Sequence, residues 1–467
     1  MTYCRARLLS APGILEAAGL PEAEVAAWLM AEPRPSGSFE ADSQAASEFL
    51  TMGERLFGRL PPRPARAERE QAAAGAIADA LNEARESFLR DNVESVYSAL
   101  TDDFTRAVRD EQLVHDAAER FPGLTPTRAT VAAELDRKLA DKEGVEVAQG
   151  LFLAHVLSSP RAGGHLIHSM LRPTDEALER LDAFRASGVA DLGPVHVSRE
   201  GRAGVVELRN PRHLNAEDDT TLAASECAVD LILLDPDIEL GVLRGGPVDH
   251  PRYGRVFGAG LNLTRLYHGQ IPFLFFVTRD LGYVNKLFRG LTAPEYRPDE
   301  PEQTTEKLWI AAAETYAIGG ACQLLHVVDH VIASRGCRLF LPARKEGIIP
   351  GASPLRLPRF VGDRLARAAI LSGLEFEAGT PPADLICDEV VEPDSVDAAI
   401  AARVAELTGS GLVSAAANRR ALRVGEEPLD VFRRYMATYA KEQAHCHLSP
   451  ALVRNLEQHW NAHERDV

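Results

Sequence analysis

The chain has 467 residues, 45% of them hydrophobic and 25% charged, with a formal net charge of −17. That length supports two or three domains with sizeable cores, and the apolar share excludes a disordered chain. The acidic balance excludes a protein whose main partner is nucleic acid, because phosphate contacts need a basic surface, yet local Arg and Lys residues still leave room for an anionic substrate.

Residues 1–192 read as an almost wholly helical N-terminal domain. AEREQAAAGAIADALNEARESFLRDNVESVYSALT is rich in Ala, Glu, Leu and Arg, with apolar residues at three- and four-residue steps. ATVAAELDRKLADKEGVEVAQGLFLAHVLSSP carries the same signal, and proline-rich breaks at Pro61, Pro62, Pro64 and Pro122 separate the helices. The N-terminal MTYCRARLLSAPGILEAAGL lacks the long apolar stretch of a signal peptide, and no uncharged apolar run reaches membrane-span length. Cys4, Cys227, Cys322, Cys337, Cys387 and Cys446 form no CxxC pair and match no zinc spacing. They read as reduced thiols in small apolar gaps, so a cytoplasmic protein without a membrane partner is expected.

The pattern changes at Gly193, where residues 193–395 form a second region. VHVSREGRAGVVELRN alternates around a glycine-containing turn and predicts a β-hairpin. DDTTLAASECAVDLILLD predicts a helix from Asp218, ELGVLRGG a short strand, and KLWIAAAETYAIGGA one longer buried strand. GGACQLLHVVDHVIA predicts a helix running into a strand, and CRLFLPA another strand. Strands alternating with helices imply parallel, crossover-connected layers. Residues 396–467 return to helix, with Ser449-Pro450 starting the last one.

Two glycine-rich turns carry the chemical signal. Arg255-Val-Phe-Gly-Ala-Gly-Leu-Asn-Leu263 permits a tight backbone that aims free N–H groups at an incoming oxygen. Ala317-Ile-Gly-Gly-Ala-Cys-Gln-Leu324 ends a buried strand and opens a helix, whose first N–H groups favour negative charge. One donor from each turn makes an oxyanion hole for an enolate or a tetrahedral anion.

With these turns, Asn210-Pro-Arg-His-Leu-Asn-Ala216, WIAAAETYAIGGACQLLHVVDHVIA and EGIIPGAS resemble, in order, the four sequence blocks of the crotonase (enoyl-CoA hydratase/isomerase) superfamily. The resemblance implies an α/β crotonase-like ββα-superhelix core at 193–395, with a large all-α N-terminal domain and a helical C-terminal segment. It places the hole at the N–H groups of Leu261 and Gly320. The two hydratase glutamates fall at Gln323 and Ala343, and the usual Asp after the first donor is Asn262. Without that carboxylate pair, addition of water is not expected.

The runs HPRYGRVFGAGLNLTRLYHGQI and VTRDLGYVNKLFRGL, with the helical flanks, resemble a narrower group: the cofactor-independent dihydroxyphenylacetyl-CoA dioxygenases of glycopeptide-antibiotic biosynthesis. That likeness implies that 3,5-dihydroxyphenylacetyl-CoA and O2 give 3,5-dihydroxyphenylglyoxylate, a precursor of dihydroxyphenylglycine, and free CoA. It implies no cofactor, neither metal nor flavin, and a homotrimer or hexamer. Glu217 then meets a ring hydroxyl or the reacting face, Arg279 the other polar end of the ring, and Gln323 orients the substrate. Ile348 lines an oxygen pocket, and Arg212, Arg252 and Lys441 are candidates for the CoA phosphates, Lys441 from a neighbouring subunit. The base that takes the α-proton is not named; Glu217 is one candidate.

Plainer readings stand beside these. Glu217 reads locally as a helix N-terminal charge, and Arg279-Asp280 as a surface ion pair. His326 and His330, four apart on a helix, suggest a metal, but packing explains them better. Cys322 has no evident His partner to make it a nucleophile. A thioester hydrolase or decarboxylase on the same scaffold, or a non-catalytic acyl-CoA-binding subunit, are the alternative functions.

Overall fold

The computed structural model describes residues 18–297 and 304–465. They fall into two compact units. The first holds residues 18–166, His268–Leu274 and Met436–Pro450. Its longest helix, Glu68–Leu100, opens with the Ala67 N–H on the Glu70 carboxylate at 2.8 Å. The buried stripe of Ala73, Ile77, Leu81, Ala84 and Phe88 follows the expected helical spacing. Ile77 and Leu81 share a core with Trp28, Phe49 and Leu50. Gly53 makes that packing possible, because a Cβ there would lie 2.5 Å from the Trp28 ring.

The second helical signal resolves into two helices, Arg128–Leu135 and Val147–Ser158. Between them the chain turns at Gly144, with φ of +87°. The buried Glu134 carboxylate holds the turn by accepting the N–H groups of Glu143 at 2.7 Å and Gly144 at 3.2 Å. A side chain that captures backbone donors in this way competes with helix continuation.

The second unit holds Ile167–Tyr267, Phe275–Tyr435 and residues 451–465. Its strands are β1 (Val189–Asp191), β2 (Val195–Glu200), β3 (Ala203–Leu208), β4 (Leu240–Gly245), β5 (Pro247–His250), β6 (Tyr253–Arg255) and β7 (Leu291–Thr292). They continue with β8 (Thr304–Thr305), β9 (Leu308–Ala313), β10 (Tyr316–Ile318), β11 (His330–Ser334), β12 (Arg338–Phe340), β13 (Phe376–Glu377) and β14 (Glu389–Val391). The main sheet runs β1-β2-β3-β4-β9-β11-β14, parallel from β3 onward, and a small sheet runs β10-β12-β13. The β2–β3 pair is the expected hairpin. Every residue of β9 is buried, and Gly241 on β4 makes room for Trp309: a Cβ there would come within 2.2 Å of the indole.

Three expectations are corrected. The helix expected from Asp218 begins at Leu222, because Asp218 accepts the Thr220 N–H at 3.0 Å and forms a turn instead. The long buried strand is two strands in different sheets, β9 and β10, with Thr315 between them at φ +63°. The helix opened by Gly320 ends at Leu324, and His330 already stands in β11, so His326 and His330 share no helix face.

Candidate active site

The split between β9 and β10 builds the site. Segment 257–262 runs beside β10: the Gly258 N–H donates to the Tyr316 carbonyl at 3.1 Å and the Ile318 N–H to the Gly258 carbonyl at 3.0 Å. On its other edge, the Glu217 N–H donates to Gly260 at 2.7 Å and the Asn262 N–H to Glu217 at 2.8 Å. Neighbouring residues of an extended chain point their amides to opposite sides, so the Leu261 N–H faces away from the Glu217 edge. Gly260, at φ +81°, fits here because a Cβ would lie 2.8 Å from the Ile318 carbonyl oxygen.

The second turn sits against the first. The Gly319 N–H donates to Phe340 at 2.9 Å, and Gly319 adopts φ +51° as the cap of the short helix Gly320–Leu324. Gly320 is the first residue of that helix, where N–H groups lack an intrahelical acceptor. Among the described residues, neither the Leu261 N–H nor the Gly320 N–H meets an acceptor. Two such donors on neighbouring turns can hold one oxyanion.

Glu217, Arg279, Gln323 and Gly320 are brought together. Arg279 Nε donates to both Glu217 oxygens at 3.0 and 3.1 Å, Nη1 to Gln323 Oε1 at 2.8 Å, and Nη2 to the Gly320 carbonyl at 2.8 Å. The Tyr283 hydroxyl also donates to Glu217. Arg279, Asp280 and Tyr283 are almost wholly buried, so the surface ion-pair reading of Arg279-Asp280 is overturned. Burial works against the Arg279 charge, but the Glu217 carboxylate, Tyr283 and Asp280 outweigh it and hold the guanidinium pKa above its ordinary value. Burial raises the Asp280 carboxyl against the pull of Arg279 and Arg356, and lifts the Tyr283 hydroxyl well above the usual range. Gly320 is tight: a Cβ there would lie 2.2 Å from Glu217 Oε2 and 3.2 Å from Arg279 Nη2. Gly351 of the PGAS loop is equally tight: a Cβ there would lie 2.3 Å from Gln323 Oε1.

A cavity of about 570 Å³ opens along the first turn, lined among others by Arg212, Ala216, Leu261, Ile318, Lys345 and Glu346. The same lining includes Tyr253, Tyr316, Arg338, His459, Trp460 and Arg465, so the largely apolar wall carries scattered cations suited to a long anionic ligand. Arg252 is exposed and outside this lining, and Ile348 is half-buried in the loop after the helix Ala343–Glu346. Lys441 belongs to the first unit, where its ammonium pairs with Glu86. Sequence reasoning passed over Lys345, Glu346 and the aromatics of the cavity lining. The ARKEG run right after Pro342 was the available signal, since one helical turn carries it past the position of the second hydratase glutamate.

The remaining candidates take plain roles. Burial pushes the Cys322 thiol up to about 12, far from a thiolate at neutral pH. Burial, with Arg356 and Arg359, pushes His326 down to about 3, and its Nδ1 lies 3.3 Å from Ser353 Oγ. Among the described residues, no group of three or more His, Cys, Asp or Glu is placed to hold a metal ion. No described helix is long and apolar enough to cross a membrane.

The sequence pattern of the enoyl-CoA hydratase/isomerase family matches residues 199–437. The (3,5-dihydroxyphenyl)acetyl-CoA 1,2-dioxygenase of Amycolatopsis orientalis is 44% identical over 407 residues, covering 86% of this chain and 92% of that protein. A probable enoyl-CoA hydratase of Rhizobium meliloti is 28% identical over 199 residues, 42% of this chain and 68% of the relative. A solved enoyl-CoA hydratase from Mycobacterium avium is 22% identical, with TM-score 0.41 over 53% of this chain and 96% of that structure.

Proposed function

This chain belongs to the enoyl-CoA hydratase/isomerase family, and from that premise we propose that it is a dioxygenase converting 3,5-dihydroxyphenylacetyl-CoA and O2 to 3,5-dihydroxyphenylglyoxylate and free CoA, without metal or flavin. The observation that carries the reading is the 44% identity to the Amycolatopsis orientalis dioxygenase across both units of the fold, helical flanks included. The replacement of both hydratase glutamates by Gln323 and Ala343 supports the same reading, since water addition needs that acid–base pair.

The chemistry follows from the substrate. Its α-carbon is benzylic and next to a thioester, so its proton is acidic. The N–H groups of Leu261 and Gly320 hold the enolate oxygen, and the electron-rich α-carbon passes electrons to O2 itself. The α-peroxide attacks the thioester carbonyl, expels CoA and collapses to the α-keto acid. Arg279 and Glu217 hold Gln323 and Gly320 in place at the ring end, and the cations Arg212, Lys345 and Arg338 meet the CoA phosphates. Ile348 keeps its assignment to an apolar oxygen pocket that limits quenching by protons. The active form is a homotrimer or hexamer.

The test is a chelator-treated preparation given 3,5-dihydroxyphenylacetyl-CoA with and without air, following O2 uptake and CoA release. Oxygen-dependent release is expected. Release that continues without O2 points to a hydrolase, and no release at all to a binding subunit.

A further inference from the structure

The α-proton needs an acceptor, and the carboxylates around the two turns differ in availability: Asp218 accepts from the Asn262 amide at 3.0 Å and Asp280 from the Ala352 N–H at 3.2 Å. Glu217 has both oxygens engaged, by Arg279 and by the Tyr283 hydroxyl. Glu346 is different. It lines the same cavity as Leu261, and among the described residues its carboxylate has neither a hydrogen bond nor an ion pair.

Its placement follows from the fold. Strand β12 ends at Phe340, whose carbonyl accepts the Gly319 N–H at 2.9 Å, and Pro342 Cδ lies 3.9 Å from where a Cβ on Gly319 would stand. The one-turn helix Ala343–Glu346 therefore starts against the turn that presents the Gly320 N–H. The Glu346 N–H closes that turn on the Pro342 carbonyl at 2.9 Å. A residue three positions on shares a helix face, so Glu346 stands one turn beyond Ala343 and on its side. Behind it, Gly347 packs on Asn455 and Leu452 of the helix Pro450–Trp460.

Resting on the proposed dioxygenase reading, we infer that Glu346 is a further catalytic residue, the general base that takes the α-proton of the arylacetyl thioester. The α C–H bond breaks and an O–H bond forms on the Glu346 carboxylate. The C–H electron pair enters the enolate held by Leu261 and Gly320, and O2 is the oxidant that takes those electrons, forming a C–O bond at the α-carbon. The distal peroxide oxygen attacks the thioester carbonyl, the C–S bond breaks, and the CoA thiolate takes the proton from Glu346. The freed carboxylate then accepts the second α-proton as the O–O bond breaks to give the α-keto carboxylate. Substrate and O2 thus account for every atom of the two products.

Glu346's surroundings suit the role. Burial alone, with no compensating cation, pushes its carboxyl up to about 7, the range in which a base is effective at neutral pH. The other charged and titratable groups lining the cavity are Lys345 on its own helix, Arg338 and Tyr316 in the small sheet, Arg212 and His213 in the turn after β3, His250 of β5 and Tyr253 of β6, and His459 and Arg465 at the C-terminal end.

The experiment is α-proton exchange of 3,5-dihydroxyphenylacetyl-CoA in D2O without oxygen, read by NMR, beside O2 uptake in air. The wild-type protein should exchange the α-protons. Glu346→Gln should slow exchange and O2 uptake together, on the order of 10²–10⁴-fold, with little change in KM. Glu346→Ala should regain exchange when formate is added, which a purely structural role would not give. Should Glu346→Gln or Glu346→Ala fail to fold, Glu346→Asp, a shortened base, should exchange at an intermediate rate. Wild-type exchange by folded Glu346→Gln, no formate rescue of folded Glu346→Ala, or wild-type exchange by Glu346→Asp overturns the assignment. A wild-type protein that neither exchanges the substrate nor consumes O2 overturns the dioxygenase reading along with it.

Discussion

Substituting Gly320 separates two functions of one residue. Gly320→Ala adds a Cβ 2.2 Å from Glu217 Oε2. That oxygen must move about 1 Å to reach ordinary contact, and Arg279 and Tyr283 both hold it where it is. Loss of one charge-assisted hydrogen bond in this cluster costs about 1.5–3 kcal/mol, roughly a 10- to 150-fold fall in kcat/KM. Gly320→Pro brings the same Cβ and also deletes the N–H, at a first helical position where proline is tolerated. The difference between the two variants isolates the oxyanion donor, expected at about 2.7–4 kcal/mol, or roughly 10²–10³-fold in kcat. Steady-state O2 uptake gives both values, and circular dichroism establishes that the variants are folded. Equal kcat for folded Gly320→Ala and Gly320→Pro would refute the role of this N–H, and unchanged kcat/KM in Gly320→Ala would refute the coupling to Glu217.

Arg279→Met leaves the buried Glu217 without its cation and is expected to destabilise the fold by about 3–5 kcal/mol in urea titrations; a stability equal to wild type counts against a buried pair. Gly53→Ala should lower Tm although Ala is the better helix former, because its Cβ meets the Trp28 ring at 2.5 Å and overpacking costs about 1–3 kcal/mol. The kcat/KM of the wild-type protein should rise with pH and level off above about 7, and the rise should vanish in Glu346→Gln. The folded pKa of Glu346 lies above its unfolded value of 4.5, so its charge disfavours the fold above pH 7 and not below 4.5. Replacing it with Gln should therefore raise Tm at pH 8 more than at pH 4, and the opposite order contradicts the sign.

The site was legible where it is made of backbone. FGAG and IGG stand out because their positive-φ positions and close approaches admit little but glycine, and the structure sets the two turns side by side. The hairpin at 195–208 and the long helix at 68–100 follow from local periodicity alone. What sequence could not convey depends on tertiary burial. Arg279-Asp280 reads as an exposed ion pair until the PGAS loop and Tyr283 enclose it. The strand expected across 307–321 is broken by a single left-handed residue, Thr315, with no local signature. Likewise the ARKEG run marks a position one turn past the second hydratase glutamate, but only the cavity wall gives Glu346 a role.

Labelling with ¹⁸O2 tests the dioxygenase reading most directly. Mass spectrometry of the 3,5-dihydroxyphenylglyoxylate formed from unlabelled substrate in ordinary water should find two heavy oxygens, one in the ketone and one in the carboxylate, after correction for ketone exchange. A carboxylate oxygen drawn from water, with none from O2, would contradict it.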